Sequence, residues 1–192
     1  MSPKTQQQFQ ELREQKKMQI LNAALKVIAN HGYNGATISM IAREAGISKG
    51  LLYSYYESKE QLLEALISFG MEKAAAFMED PDAGKPHSKE SFAAMLRKMI
   101  QMVMQESDFW RMYTTLLLQP NMSGKIQPQA QKFVEQYLGI YIAYFQKKGS
   151  RNPMAEAMLF GAVLDGLMFD LMVAPDQYPL EEVLEMIVEK FA

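Results

Sequence analysis

The sequence predicts an all-α protein in two parts. Apolar residues recur at three- and four-residue spacing along most of the chain, and no apolar–polar alternation is long enough for a useful strand. Pro, Gly and Asp collect at a few joints, of which EDPDAGKPHS, from Glu79 to Ser88, is the clearest break. With 192 residues and 48% apolar content, there is material for a substantial buried core.

Composition removes several classes of chemistry. The chain has no cysteine, which excludes disulfides, thiolate zinc sites and thiol nucleophiles and is compatible with a reducing compartment. Its two histidines, His31 and His87, are far apart, and neither a metal site nor a cofactor is expected. No apolar run approaches the roughly 20 residues that span a bilayer. The polar N-terminus MSPKTQQQFQELREQKK has no signal-peptide core, so a cytoplasmic protein with no membrane partner is expected. The net charge of −2 hides an asymmetry. Residues 1–60 hold eight Lys/Arg against five Asp/Glu, whereas residues 61–192 hold twelve against seventeen. A basic head on an acidic body suits contact with a polyanion through the head alone.

The first dozen residues are Gln-rich and expected to fray. A helix follows from about Phe9 to Asn30, with Ile20, Ala24, Val27 and Ile28 as its buried face. His31 falls in the last turn, where a donor is favoured, and takes a structural role. Gly32 is the C′ residue, and Asn34-Gly35 is a turn. Next comes TISMIAREAGISKGLLYSYYESK, from Thr37 to Lys59. Thr37 is a good N-cap, and Ile38, Ile41, Ala42 and Ala45 share one helical face. Gly46 ends that helix, with Ile47 packing back into the corner, and Ser48 caps a second helix that exposes Ser48, Lys49 and Gly50. By spacing alone this is an αα-corner. The donors Ser48, Lys49, Tyr53, Tyr55 and Lys59 are too many for so short a segment to bury, which points to phosphate contact. Ser58 and Gln61 have capping-box spacing and open a helix through Leu62, Leu63, Leu66, Ile67 and Phe69 to about Met78, joining head to body. Lys59 lies in its first turn, where a lysine is unfavourable for the helix dipole unless it meets an anion.

From about Lys17 to Leu66 the chain resembles the DNA-binding domain of the TetR family of bacterial transcriptional regulators. The resemblance rests on Gly32, Tyr33, Thr37, Ile41, Ala42, Ala45, Gly46, Ser48, Lys49, Gly50, Leu52, Tyr53, Tyr55, Lys59 and Leu62, among others, in register without a gap. It covers about a quarter of the chain. It implies an N-terminal three-helix helix-turn-helix DNA-binding domain, residues 1–60, plus a C-terminal helical-bundle domain, residues 61–192, for ligand binding and dimerisation. It further implies that Thr37 and Lys59 hold phosphates and that Tyr53 and Tyr55 contact backbone or thymine methyls. Ser48, Lys49, Gly50 and Leu51 would face the major groove. Leu51 departs from the small or polar residue often found there, which suits contact with a methyl group.

In the body, helices are expected at Lys89–Gln105, Asp108–Leu118, Pro128–Lys147, Pro153–Met172 and Leu180–Phe191. Methionine is abundant, at 16 in the chain, and most of the methionines and aromatics suit a bundle core. The resemblance implies a pocket for a small, largely apolar or aromatic effector, and Trp110, Tyr113, Tyr137, Tyr141 and Phe169 are its candidates. Arg97 and Arg111 suit carboxylate recognition, a solvated charge, or an internal pair with Asp108 or Asp165. Gly161, Ala162 and Gly166 thin the Pro153–Met172 helix, and Leu180, Val183, Leu184, Ile187, Val188 and Phe191 make a wide apolar stripe on the last one. Those two helices either complete the bundle or, as the resemblance implies, pair with their copies in a homodimer.

The leading expectation is thus a homodimeric repressor of a pseudopalindromic DNA operator, released by a small molecule. A protein-interaction module, or a ligand-binding protein without DNA regulation, is the alternative. An enzyme has little support: there is no G-x-S-x-G, phosphate-cradling glycine loop, H-E-x-x-H or E-x-x-H.

Overall fold

A computed structural model describes residues 6–79, 88–119 and 123–192. Helices are α1 (Gln6–Gly35), α2 (Ile38–Glu44), α3 (Lys49–Tyr53), α4 (Lys59–Glu79), α5 (Lys89–Gln105), α6 (Ser107–Leu117), α7 (Ser123–Lys147), α8 (Pro153–Val173) and α9 (Leu180–Phe191), with a 3₁₀ turn at Pro175–Gln177. The described residues are all-helical, and none of their helices is long and apolar enough to cross a membrane. Most of the expected joint between Glu79 and Ser88, with His87, lies outside the described residues, as does Pro120.

Two compact units emerge, Met1–Gly70 with Arg111–Ile126, and Met71–Trp110 with Gln127–Ala192. In the first, α1 buries Ile20, Leu21, Ala24, Leu25 and Ile28 alongside Ile41, Leu52, Leu62, Leu66 and Ile67. Its expected end at Asn30 is instead a break: Gly32 has φ 70 and ψ 158, and one further turn follows. That turn closes with the Ala36 N–H donating to Gly32 O at 3.0 Å. The glycine is needed there because other L-residues strain at positive φ. At the start of α4, Ser58 Oγ accepts from the Gln61 N–H at 3.1 Å, as the capping spacing predicts. Gln61 Oε1 reaches one residue further back than a standard box and accepts from the Glu57 N–H at 2.6 Å.

The second unit has an aromatic centre. Phe160 on α8 is fully buried, with its ring centroid 4.9 Å from that of Tyr141, 5.1 Å from Phe191 and 5.3 Å from Phe92. Four helices therefore meet on one side chain. The inner face of α8 is Ala157, Phe160, Leu164, Leu167 and Leu171, at i, i+3, i+7, i+10 and i+14. Its opposite face, Met154, Met158, Ala162, Asp165, Phe169 and Val173, is exposed throughout. On α9, Leu184, Ile187, Val188 and Phe191 are buried in the same core, so that stripe does complete the bundle. Arg97 pairs with neither expected aspartate: its Nη2 lies 3.0 Å from Glu181 Oε2, at the surface. Helix α7 starts at Ser123, five residues before the expected Pro128. Pro128 therefore sits in the second turn, where its φ suits the helix but it has no N–H to give the ladder.

Candidate nucleic-acid interface

The reading element is built by its caps. Thr37 takes an extended conformation and its Oγ1 accepts from the Met40 N–H at 3.2 Å, starting α2. At the other end the Ile47 N–H donates to Ala42 O at 2.9 Å and the Gly46 N–H to Arg43 O at 3.1 Å, with Gly46 at φ 61. These are the two bonds of a Schellman turn, which fixes the angle at which the chain leaves α2. Gln19 secures the same corner from α1, its Nε2 donating to Ala45 O at 2.6 Å. Ser48 then caps α3, its Oγ accepting from the Leu51 N–H at 3.1 Å.

Helix α3 has five residues and one anchor, Leu52, which is fully buried. Around that anchor Ser48, Lys49, Gly50, Leu51 and Tyr53 are all exposed, Leu51 at 42% and Tyr53 at 44%. Two large apolar or aromatic side chains are thus presented to water side by side with the exposed cation Lys49 on one short capped helix. Lys49 Nζ lies 5.8 Å over the Tyr53 ring, which keeps this cation beside the aromatic. Thr37 is exposed, and Tyr55 is half-buried.

Lys59 is held more firmly. Its Nζ donates to Ala36 O at 2.7 Å and sits 4.3 Å over the Tyr33 ring, on a half-buried side chain. An ammonium has three donors and one of them is used by Ala36, so the group is oriented while capacity remains for an anion. The Tyr33 hydroxyl donates to Glu60 Oε1 at 3.0 Å. Burial first, and the Glu60 carboxylate second, push the Tyr33 pKa up to about 12, so it stays a neutral donor at physiological pH.

Two residues outside the sequence-based set join this unit. The Arg13 guanidinium lies 6.0 Å over the Tyr55 ring. Gln119, just beyond α6, accepts from the Tyr33 N–H through Oε1 at 2.7 Å and donates through Nε2 to Ile28 O at 3.2 Å. Neither has a local sequence signal, because the partners are far away along the chain.

The expected pocket residues are spread differently. Tyr137 and Tyr141 come together in the core of the second unit. Burial, with Asp165 and Tyr137 adding to it, pushes the Tyr141 hydroxyl up to about 12. Trp110 is half-buried in the same unit, edge-on to Phe109 at 5.1 Å. Tyr113 belongs to the first unit, its hydroxyl donating to Ile67 O at 2.7 Å. The Tyr113 ring lies where a Cβ on Gly70 would have to be, so only glycine permits that approach. Phe169, 53% exposed on the outer face of α8, is not brought to Tyr137 and Tyr141.

The family model for bacterial regulatory proteins of the tetR family matches residues 20–66, the span that holds these caps and α3. The chain is 28% identical over 185 residues to the fatty acid metabolism regulator protein of Bacillus subtilis strain 168, covering 90% of this chain and 94% of that one. Among solved structures it is similar to the transcriptional regulator FadR from Bacillus subtilis in complex with stearoyl-CoA, with a TM-score of 0.71, 23% identity, and 91% and 96% of the two chains covered. The fatty acid degradation regulator FadR from Bacillus halodurans matches with a TM-score of 0.72 at 21% identity, over 92% and 94%. Both structural likenesses establish the fold. The matched segment and its capped helix-turn-helix agree: residues 20–66 are a DNA-binding domain of the tetR family of bacterial regulatory proteins, in a chain with the fold of such regulators.

Proposed function

We propose that the chain is a repressor that binds a pseudopalindromic operator as a homodimer and is released by a long-chain acyl-CoA. Residues 1–60 read DNA, and residues 61–192 bind effector and dimerise. The observation that carries the DNA assignment is the exposed Ser48–Tyr53 surface on a doubly capped, singly anchored helix. In this reading Ser48, Lys49, Gly50 and Leu51 enter the major groove, and Leu51 packs on a thymine methyl. Thr37, Tyr53, Tyr55 and Lys59 fix the register on the backbone.

Dimerisation is supported by the outer face of α8. Met154, Met158, Phe169 and Val173 form an exposed stripe, and Ala162, Gly161 and Gly166 on the same helix are small enough for close helix approach. A second copy buries that stripe symmetrically and presents two reading helices to half-sites about one DNA turn apart.

The effector class rests on the likeness to the fatty acid metabolism regulator over nearly its whole length. A methionine- and aromatic-rich body suits a flexible acyl chain, since unbranched thioethers repack around it. Fluorescence anisotropy of a labelled genomic duplex tests this, with stearoyl-CoA, free CoA and stearate added in turn. The expected result is at least a tenfold rise in DNA Kd with stearoyl-CoA and none with CoA, because an effector shifts affinity only through its preference for one state. Equal DNA affinity with and without acyl-CoA of every chain length would contradict the effector assignment and leave the DNA assignment standing.

A further inference from the structure

We infer that Gln119 is a positioning residue for DNA binding: its side-chain amide sets the break in α1 and thereby holds Lys59 where a phosphate arrives. The inference rests on the DNA-reading assignment and adds to it a residue some 60 positions away from the reading element. A non-helical residue interrupts the i→i−4 ladder around it, and Gly32 does so at φ 70 and ψ 158. Left to itself such a break is a hinge. Gln119 spans it, donating to Ile28 O on one side and accepting from the Tyr33 N–H on the other. A primary amide is suited to this task because it carries a donor and an acceptor on one plane. Its orientation is fixed by the partners, since a backbone carbonyl can only accept and a backbone N–H can only donate.

The consequence runs through the residues after the break. Tyr33 supplies the ring beneath the Lys59 ammonium at 4.3 Å and donates its hydroxyl to Glu60. Ala36 supplies the carbonyl that Lys59 Nζ holds at 2.7 Å. Thr37, the N-cap of α2, follows directly. Three supports of the DNA-facing surface therefore lie within five residues downstream of Gly32, and the Gln119 amide holds the first of them. Tyr113 fastens α6, which leads into Gln119, to α4 through Ile67 O and the space that Gly70 leaves, so Gln119 projects from a fixed base.

The test uses the full chain and a mixed-sequence DNA duplex, with affinity measured across a series of salt concentrations. Gln119→Met keeps the length of the side chain and removes both hydrogen bonds. Its expected effect is about a tenfold loss of affinity, with the slope of log K against log salt shallower by about 0.9, the equivalent of one phosphate contact. In a Lys59→Ala background the same substitution should change affinity less than about twofold, since it acts through Lys59. A Met variant with wild-type affinity and slope, or a full loss in the Lys59→Ala background, overturns the inference. A merely structural role would lower the unfolding midpoint of Gln119→Met without moving its salt slope, and that pattern also overturns it. Failure of the wild-type protein to bind DNA at all is a different result, which removes the DNA-reading assignment itself.

Discussion

Phe160→Ala is expected to destabilise the helical body by about 3–5 kcal/mol, the range for deleting a buried aromatic ring from a close-packed core. The side chain is fully buried and meets rings from α5, α7 and α9, so no single neighbour can move in without leaving another. The lost contacts are dispersion and burial together, and the cavity left behind adds to them. A domain has about 5–15 kcal/mol in total, so this one change consumes a large part of it. Urea unfolding followed by far-UV circular dichroism measures the effect, with the two compact units allowed separate transitions. The transition of the unit holding Phe160 should shift and the other should stay. A loss below about 1 kcal/mol would mean that the core collapses around the gap and that Phe160 is not its centre.

The double variant Tyr53→Ala, Lys59→Ala is expected to lose about a hundredfold in DNA affinity, roughly tenfold from each side chain, at about 1.4 kcal/mol per tenfold. Tyr53 is exposed and its removal leaves α3 anchored by Leu52, so the fold should persist. Lys59 also ties Ala36 O to the start of α4, so a modest fall in thermal stability is expected beside the lost phosphate contact. The two effects separate in the salt dependence, whose slope should drop by about 0.9 for the phosphate that Lys59 no longer meets. An unchanged slope would assign Lys59 to holding Ala36 and Tyr33 and nothing more.

Much of the fold was legible because its signals are local. Thr37, Gly46 and Ser48 act on groups two to four residues away, and each cap falls where the sequence places it. The same holds for α5 and α9, whose bounds match those expected from apolar spacing and flanking breakers. Pro128 misled because proline is favoured at the first position of a helix, whereas in α7 it falls in the second turn. Arg97 was ambiguous because its partner Glu181 lies 84 residues away. Gln119 left no trace for the same reason, at 86 residues from Tyr33. On α8, apolar residues on both faces hid which side is inward, and only packing separates Phe160 from Phe169. Local chemistry thus writes the reading element into the sequence, while long-range contacts decide what holds it and which aromatics share a core.

The measurement that bears most directly on the central claim is recovery and sequencing of genomic fragments bound by the purified protein, with the Tyr53→Ala, Lys59→Ala variant alongside. A dimeric reader predicts enrichment of one inverted-repeat site by the native protein alone, its half-sites about one helical turn apart. Enrichment of the same fragments by both proteins, or of sites with no inverted repeat, would contradict the assigned face and the symmetric mode of reading.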